Sequence, residues 1–166
     1  GHPGVTSRDC APRRRCGSCG KCVSKFRVLY CDIDHVSLPE AMHRLKASGL
    51  PRPSIITESG GGAHFYWRLK QPSRNHEKFW RHQRAIIRAI DSDPSVHDPP
   101  RVMRLPGFLN TKPERKNAPV VLNRLRKVRH EWCDFPQDAE TSRLVAVPAY
   151  QGDRRELSKT TLRAIA

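Results

Sequence analysis

Residues 26–34 read FRVLYCDID. Leu29, Cys31 and Ile33 alternate with Val28, Tyr30, Asp32 and Asp34. That period of two predicts a strand with both aspartates on one face. Two carboxylates roughly 7 Å apart on one strand face repel each other. Exposure, nearby arginines or divalent cations can compensate the repulsion. Hard oxygen ligands at this spacing suit Mg²⁺ or Mn²⁺, which need few protein ligands and keep positions open for phosphate oxygens. Taken alone, the pair is better accounted for as a solvated strand end, so the surroundings must decide.

Outward from the strand, Ser37-Leu-Pro-Glu40 has the form of a capping box opening a short helix, with Gly49 as its stop. SIITE (54–58) and AHFYWRL (63–69) predict two strands joined by Ser59, Gly60, Gly61 and Gly62. Period two turns His64, Tyr66 and Arg68 one way, and Ala63, Phe65, Trp67 and Leu69 into a core. Ser73 is the expected cap of a second helix, with Phe79, Ile86, Ile87 and Ile90 at helical spacing. DSDPSVHDPP (91–100) is a turn-rich loop. RVMRLPGFLN (101–110) enters a short strand or turn, APVVLNRL (118–125) predicts another strand, and Ser158 would cap a last helix. Strands and helices mix without strict alternation, which points to an α+β fold or a mixed α/β sandwich. The expected divisions are a basic Cys-rich arm (1–25), a core (26–135) and a C-terminal extension (136–166).

The 166 residues are 37 % hydrophobic, enough for one modest core. Thirty-one Lys and Arg against 16 Asp and Glu give a net charge of +15. The resulting field suits a polyanion such as nucleic acid, a nucleoside triphosphate or an acidic membrane surface. No run of about 18 apolar residues is present to span a bilayer, and no apolar signal-peptide core opens the chain. A cytoplasmic setting with reduced thiols is the expectation. The start, GHPGV, suggests a segment of something longer.

Two further clusters follow the acid pair. In Ser59-Gly-Gly-Gly-Ala-His64 the glycines would let backbone N–H groups approach a phosphate, and His64 begins a strand from which it can reach the same ligand. Taken alone, this is equally a hairpin turn. Further on, His97-Asp98-Pro-Pro-Arg101-Val-Met-Arg104-Leu-Pro-Gly107, then Asn110 and Lys112, sets a carboxylate beside guanidinium groups suited to phosphate. Alone, it is equally a surface ion pair of Asp98 with Arg101.

Their order is more telling than any one of them. An acid pair (Asp32-Ile33-Asp34), a small residue followed by x-His (Gly62-Ala63-His64), an acid (Asp98) and Arg101-x-x-Arg104-Leu-Pro-Gly-x-x-Asn110 form a series. From about Phe26 to Lys112 this series resembles the archaeo-eukaryotic primase superfamily, in particular RepB-type primase domains of plasmid and phage replication proteins. His97 departs from the hydrophobic position expected before the third acid, so Asp93 is the alternative to Asp98.

The resemblance implies an RRM-like mixed or antiparallel sheet with flanking helices, packed beside a second small α/β unit. It also implies template-directed nucleotidyl transfer. Asp32, Asp34 and Asp98 would hold two Mg²⁺ or Mn²⁺ ions, and His64 would contact the incoming NTP or dNTP. The Gly60, Gly61 and Gly62 amides, Arg101, Arg104 and Lys112 would steady phosphate charge. The implied partners are a single-stranded DNA template and a helicase domain or protein, in a bacterial, plasmid or phage replication setting, with no membrane.

Cys10, Cys16, Cys19 and Cys22 offer four thiolates, enough for tetrahedral Zn²⁺, although the spacing also allows an unstructured arm. Cys31 and Cys133 read as core thiols, and Trp67 and Trp80 as core aromatics. A Toprim-type primase would need a glutamate on a strand before the acid pair, and none precedes Glu40. A rolling-circle nicking enzyme would need His-x-His, which the eight histidines do not form. The rival from another class is a non-catalytic nucleic-acid-binding module of a replication initiator.

Overall fold

The computed structural model describes Gly20 and residues 23–138. The alternating stretch forms β1 (Phe26–Asp34), and the aromatic stretch after the glycines forms β3 (Gly62–Ser73). They pair antiparallel, with Asp34 opposite Gly62, Asp32 opposite His64 and Tyr30 opposite Tyr66. β2 (Ile55–Glu58) lies on the other side of β3, and β6 (Val121–Leu125) lies beyond it. The antiparallel order is β1-β3-β2-β6.

Helices α1 (Leu38–Ala47) and α2 (His76–Ile90) touch each other; α1 packs on β3, and α2 on β1 and β3. They cover the face carrying Leu29, Cys31, Ile33, Phe65 and Trp67, which join Ala41, Leu45, Phe79, Ile86 and Ile90 in one buried cluster. Each buried polar tie here has a geometric use. Trp67 Nε1–H donates to the Pro51 carbonyl at 2.7 Å. Gln83 of α2 donates to the carbonyls of Tyr30 (2.5 Å) and Val96 (3.0 Å), and its Oε1 accepts the Tyr30 N–H (3.3 Å). One side chain therefore fixes β1, α2 and the loop after α2 together.

Smaller elements complete the described chain: a ribbon of β4 (Leu109–Asn110) with β5 (Ala118–Pro119), a 3₁₀ turn at Pro113–Arg115 and another at Trp132–Asp134. Ser37 caps α1, its Oγ accepting the Glu40 N–H, and Gly49 takes φ +70° after the helix, both as expected. Three local expectations need correction. Asn75, not Ser73, caps α2 through Lys78 N–H at 2.9 Å. Ser73 is still in the β1–β3 ladder opposite Phe26, and its hydroxyl accepts the Asn75 N–H instead. The single strand expected over 118–125 is two, because Val120 turns inward and pairs with Gly107 and Phe108. Cys133 is exposed rather than a core thiol, whereas Cys31 is buried. Trp67 is buried as expected, and Trp80 is half-buried against the core. The cysteine cluster and the helix expected after Ser158 lie outside the described residues.

Gly62 has no room for a side chain, since a Cβ there would run into the Ile33 carbonyl of β1. Gly49 faces open space. Gly62→Ala should therefore cost on the order of 3 kcal/mol, against about 1 kcal/mol of backbone strain for Gly49→Ala. Urea unfolding measures both, and equal losses would contradict the close β1–β3 approach.

Candidate active site

The face of the sheet away from the helices carries Asp32 of β1 and His64 of β3 side by side. His64 Nε2 lies 3.5 Å from Asp32 Oδ1, and neither atom has a hydrogen-bond partner. His64 is 1 % exposed and the Asp32 side chain 13 %. Both line a pocket of about 260 Å³ whose remaining walls are Val102, Met103 and Arg104. The segment after Arg101 thus crosses over the sheet and lays Arg104 against the acid–histidine pair.

Burial raises the Asp32 carboxyl from 3.8 to about 7. Asp34, next along the face, and Asp93 add to the rise, while Arg104 and Lys112 oppose it. Burial also depresses His64 to about 4, with the Arg104 charge second and Asp34 acting against it. The imidazole is therefore neutral near pH 7. Its Nδ1 lies 3.2 Å from the Tyr66 hydroxyl, which burial and Asp32 keep protonated. With that hydroxyl donating to Nδ1, the imidazole proton sits on Nε2 and faces the pocket.

For the third acid the sequence offered Asp98, with Asp93 as the alternative. Asp98 forms an ion pair with Arg101 at 2.7 Å, and its carbonyl accepts the Tyr30 hydroxyl at 2.6 Å. Arg101 also reaches the Ser95 carbonyl, so it turns away from the pocket. The Asp93 N–H donates to the Asp32 carbonyl at 2.9 Å, and its carboxylate accepts from the backbone and hydroxyl of Ser95. The geometry favours Asp93 over Asp98 as neighbour of the pair. Among the described residues, no three acid, histidine or cysteine side chains are gathered closely enough to hold one ion. The orphaned Asp32 Oδ1, with Asp34 on the same face, nevertheless fits a divalent cation: a buried carboxylate repelled by its neighbour is what such an ion relieves.

The glycine turn is closely packed. Gly60 takes φ +73°, Gly62 meets the Ile33 carbonyl, and the Arg115 guanidinium lies against Gly61. The Gly61 carbonyl also accepts the His35 N–H at 2.8 Å. Sequence reasoning missed two residues. Tyr66 was legible through its i+2 spacing from His64. Arg115 was not, because only the 110–118 turn brings it back to the glycines.

A model of the RepB DNA-primase N-terminal domain matches residues 7–151. The chain belongs to the RepB DNA-primase N-terminal domain family. Among solved structures, this RepB-type domain is similar to the AEP domain of the cyanophage S-2L primase-polymerase. The TM-score is 0.61 at 21 % identity, covering 70 % of this chain and 61 % of that one. It is also similar to the catalytic domain of primase RepB′ in complex with initiator DNA, with TM-score 0.49 at 21 % identity, over 62 % of this chain and 53 % of that one. At these identities the likeness is one of fold, and the chain spans less than two thirds of either neighbour. No curated protein sequence matches it. The α+β fold with an antiparallel sheet and flanking helices is that of the cyanophage domain. Among the described residues no helix is long and apolar enough to cross a membrane.

A carboxyl whose folded value is raised is stabilising only in its protonated form. Its cost sets in above pH 4, where the unfolded chain ionises, and is complete above about pH 7. In the metal-free domain, Asp32→Asn should therefore raise stability at pH 8 by on the order of 3 kcal/mol and change little at pH 4. Urea titrations at the two pH values measure this, and an equal effect at both would refute the burial of an uncompensated carboxylate.

Proposed function

We propose that this domain carries out metal-dependent, template-directed nucleotidyl transfer, joining NTPs or dNTPs as a DNA primase or primase-polymerase. The observation that carries the reading is the buried Asp32 carboxylate, with an oxygen left unpartnered between the Asp34 charge and a neutral histidine, beside Arg104. Asp32 and Asp34, with Asp93 ahead of Asp98 as third ligand, would hold Mg²⁺ or Mn²⁺. Such ions would neutralise triphosphate charge and acidify an attacking 3′-hydroxyl.

The chain's own residues supply the rest. Arg104 meets a phosphate as a fixed cation. Neutral His64, held by Tyr66, offers Nε2–H to a phosphate oxygen without adding charge. Lys112 strengthens the positive potential around Asp32, and Arg115 does the same beside Gly61. Arg101 positions the loop by holding Asp98. No covalent nucleophile is required. The Gly60–Gly62 turn sets the register that puts Asp32 opposite His64. Single-stranded DNA is the proposed template, and a helicase domain or protein the proposed associate. The arm over 1–25 is proposed to be a basic appendage whose Cys10, Cys16, Cys19 and Cys22 bind Zn²⁺, ahead of a catalytic core over 26–135 and an extension over 136–166.

Nucleotide incorporation on a primed single-stranded template with Mg²⁺ or Mn²⁺ tests the reading. Asp32→Ala with Asp34→Ala should lower incorporation at least about a thousandfold, and Mn²⁺ should raise the melting temperature of the wild type but not of this variant. His64→Ala should raise the nucleotide KM about tenfold or more, one hydrogen bond to a charged group. Equal incorporation by wild type and the double variant would sink the catalytic reading. It would leave a non-catalytic nucleic-acid-binding module, the reading favoured by the +15 charge and by the incomplete gathering of ligands.

A further inference from the structure

The site occupies only one end of the open sheet face; the other end is apolar and bare. Across the sheet, Asp32 stands opposite His64, His64 opposite Thr57, and Thr57 opposite Leu122. The parallel row runs Tyr30, Tyr66, Ile55, Leu125. Directly opposed residues of antiparallel strands point to the same face. Leu122 and Leu125 therefore share the face of the candidate site, with Leu122 two strand spacings, roughly 10 Å, from His64. All of β6 is exposed, Leu122 at 45 % and Leu125 at 62 %.

A second set of apolar side chains joins them. Val120 N–H donates to the Phe108 carbonyl at 2.8 Å, and Gly107 N–H to the Val120 carbonyl at 2.9 Å. Phe108 is thereby brought beside the start of β6, yet it is 66 % exposed, and Leu105 67 %. Exposed apolar side chains of this size, brought close together by the backbone, are characteristic of binding sites. The segment carrying them is the one that brings Arg104 to the pocket.

The charge around the ridge says what it binds. Residues 101–129 hold nine Lys and Arg and one acid, Glu114. Among the described residues, only Arg101 of the nine forms an ion pair. A second copy of a +15 chain would be repelled here. A polyanion with apolar faces is matched. In a duplex those faces are stacked away; in a single strand they are free to lie on aromatic and aliphatic side chains while the phosphates meet Lys and Arg.

We propose that Leu105, Phe108, Leu122 and Leu125, with Lys127 just beyond the end of β6, form a track for single-stranded nucleic acid that feeds a template toward the Asp32–His64 pocket. This rests on the primase reading for its purpose, but its binding chemistry can be tested apart from catalysis.

The probe is a labelled oligothymidylate of about 20 nucleotides, titrated by anisotropy into the full chain, with the matching duplex as control. Phe108→Ala and, separately, Leu122→Ser with Leu125→Ser should each weaken single-strand binding at least about tenfold. Neither should change the melting temperature, the duplex affinity or the nucleotide KM. Their salt dependence should match the wild type, whereas Lys127→Ala should flatten it. Single-strand affinity within about twofold of wild type in both apolar variants overturns the track. So does a wild-type dimer in sedimentation that Leu122→Ser with Leu125→Ser dissociates, since the ridge would then be an interface between copies. Lack of incorporation by the wild type would defeat the primase reading without touching these binding results.

Discussion

The close approach of β3 to β1 at Gly62 is the constraint on which the rest of the molecule depends. Only a residue without a side chain lets the β3 backbone run against the Ile33 carbonyl, and this contact sets the ladder so that Asp32 faces His64. A slip of one residue would send Asp32 and Asp34 into the apolar core and Cys31 and Ile33 into the pocket. Gln83 reinforces the arrangement from the other side by holding the Tyr30 backbone, α2 and the Val96 carbonyl at once. The loop that follows then delivers Asp93 to the Asp32 backbone. A local steric fact is in this way converted into the placement of charges far apart in the chain.

The placement is not one that stability alone would select. A carboxylate is buried opposite a neutral imidazole, a second acid stands on the same strand face, and the nearest compensation is Arg104 and Lys112. Folding energy from the Leu29–Phe65–Trp67 layer on the other face carries this cost. Strain of this kind is expected where a charged ligand must later complete the arrangement, because a group already satisfied by the protein has nothing left to offer. Asp98 differs in charge environment, since the Arg101 guanidinium lies 2.7 Å from its carboxylate.

How much of this could be read from the sequence follows the range of the interactions involved. Period-two alternation identified β1, β3 and their buried faces, and Ser37 and Gly49 marked the ends of α1, since each depends on near neighbours. That Asp32 and His64 serve one site was read only through a family pattern of motifs, since on the acid pair alone a solvated strand end was the better reading. Contacts closed by loops were not legible. Nothing in DSDPSVHDPP says that Asp93 folds back onto β1 while Asp98 turns to Arg101 and Tyr30. The break at Val120 was hidden because a strand and a ribbon-plus-strand share the same apolar pattern; only pairing with Phe108 separates them. Asn75 displaced Ser73 as helix cap because the ladder to Phe26 outlasted the apolar stretch from which the strand was read.

The distribution of charge gives these elements a common logic. An edge strand that exposes Val121, Leu122 and Leu125 is a template for aggregation in a neutral protein. Here Arg124, Arg126 and Lys127 sit in and beside the strand, and the chain as a whole carries +15, so copies repel before their edges can pair. That protection is lost when a polyanion neutralises the field, but such a ligand also covers the apolar side chains that made the edge hazardous. The same arginines and lysines therefore keep copies of the free protein apart, and on the proposed track those that reach it would meet phosphates. A polyanionic partner of this kind would account for an excess of positive charge much larger than the few cations beside Asp32 would need.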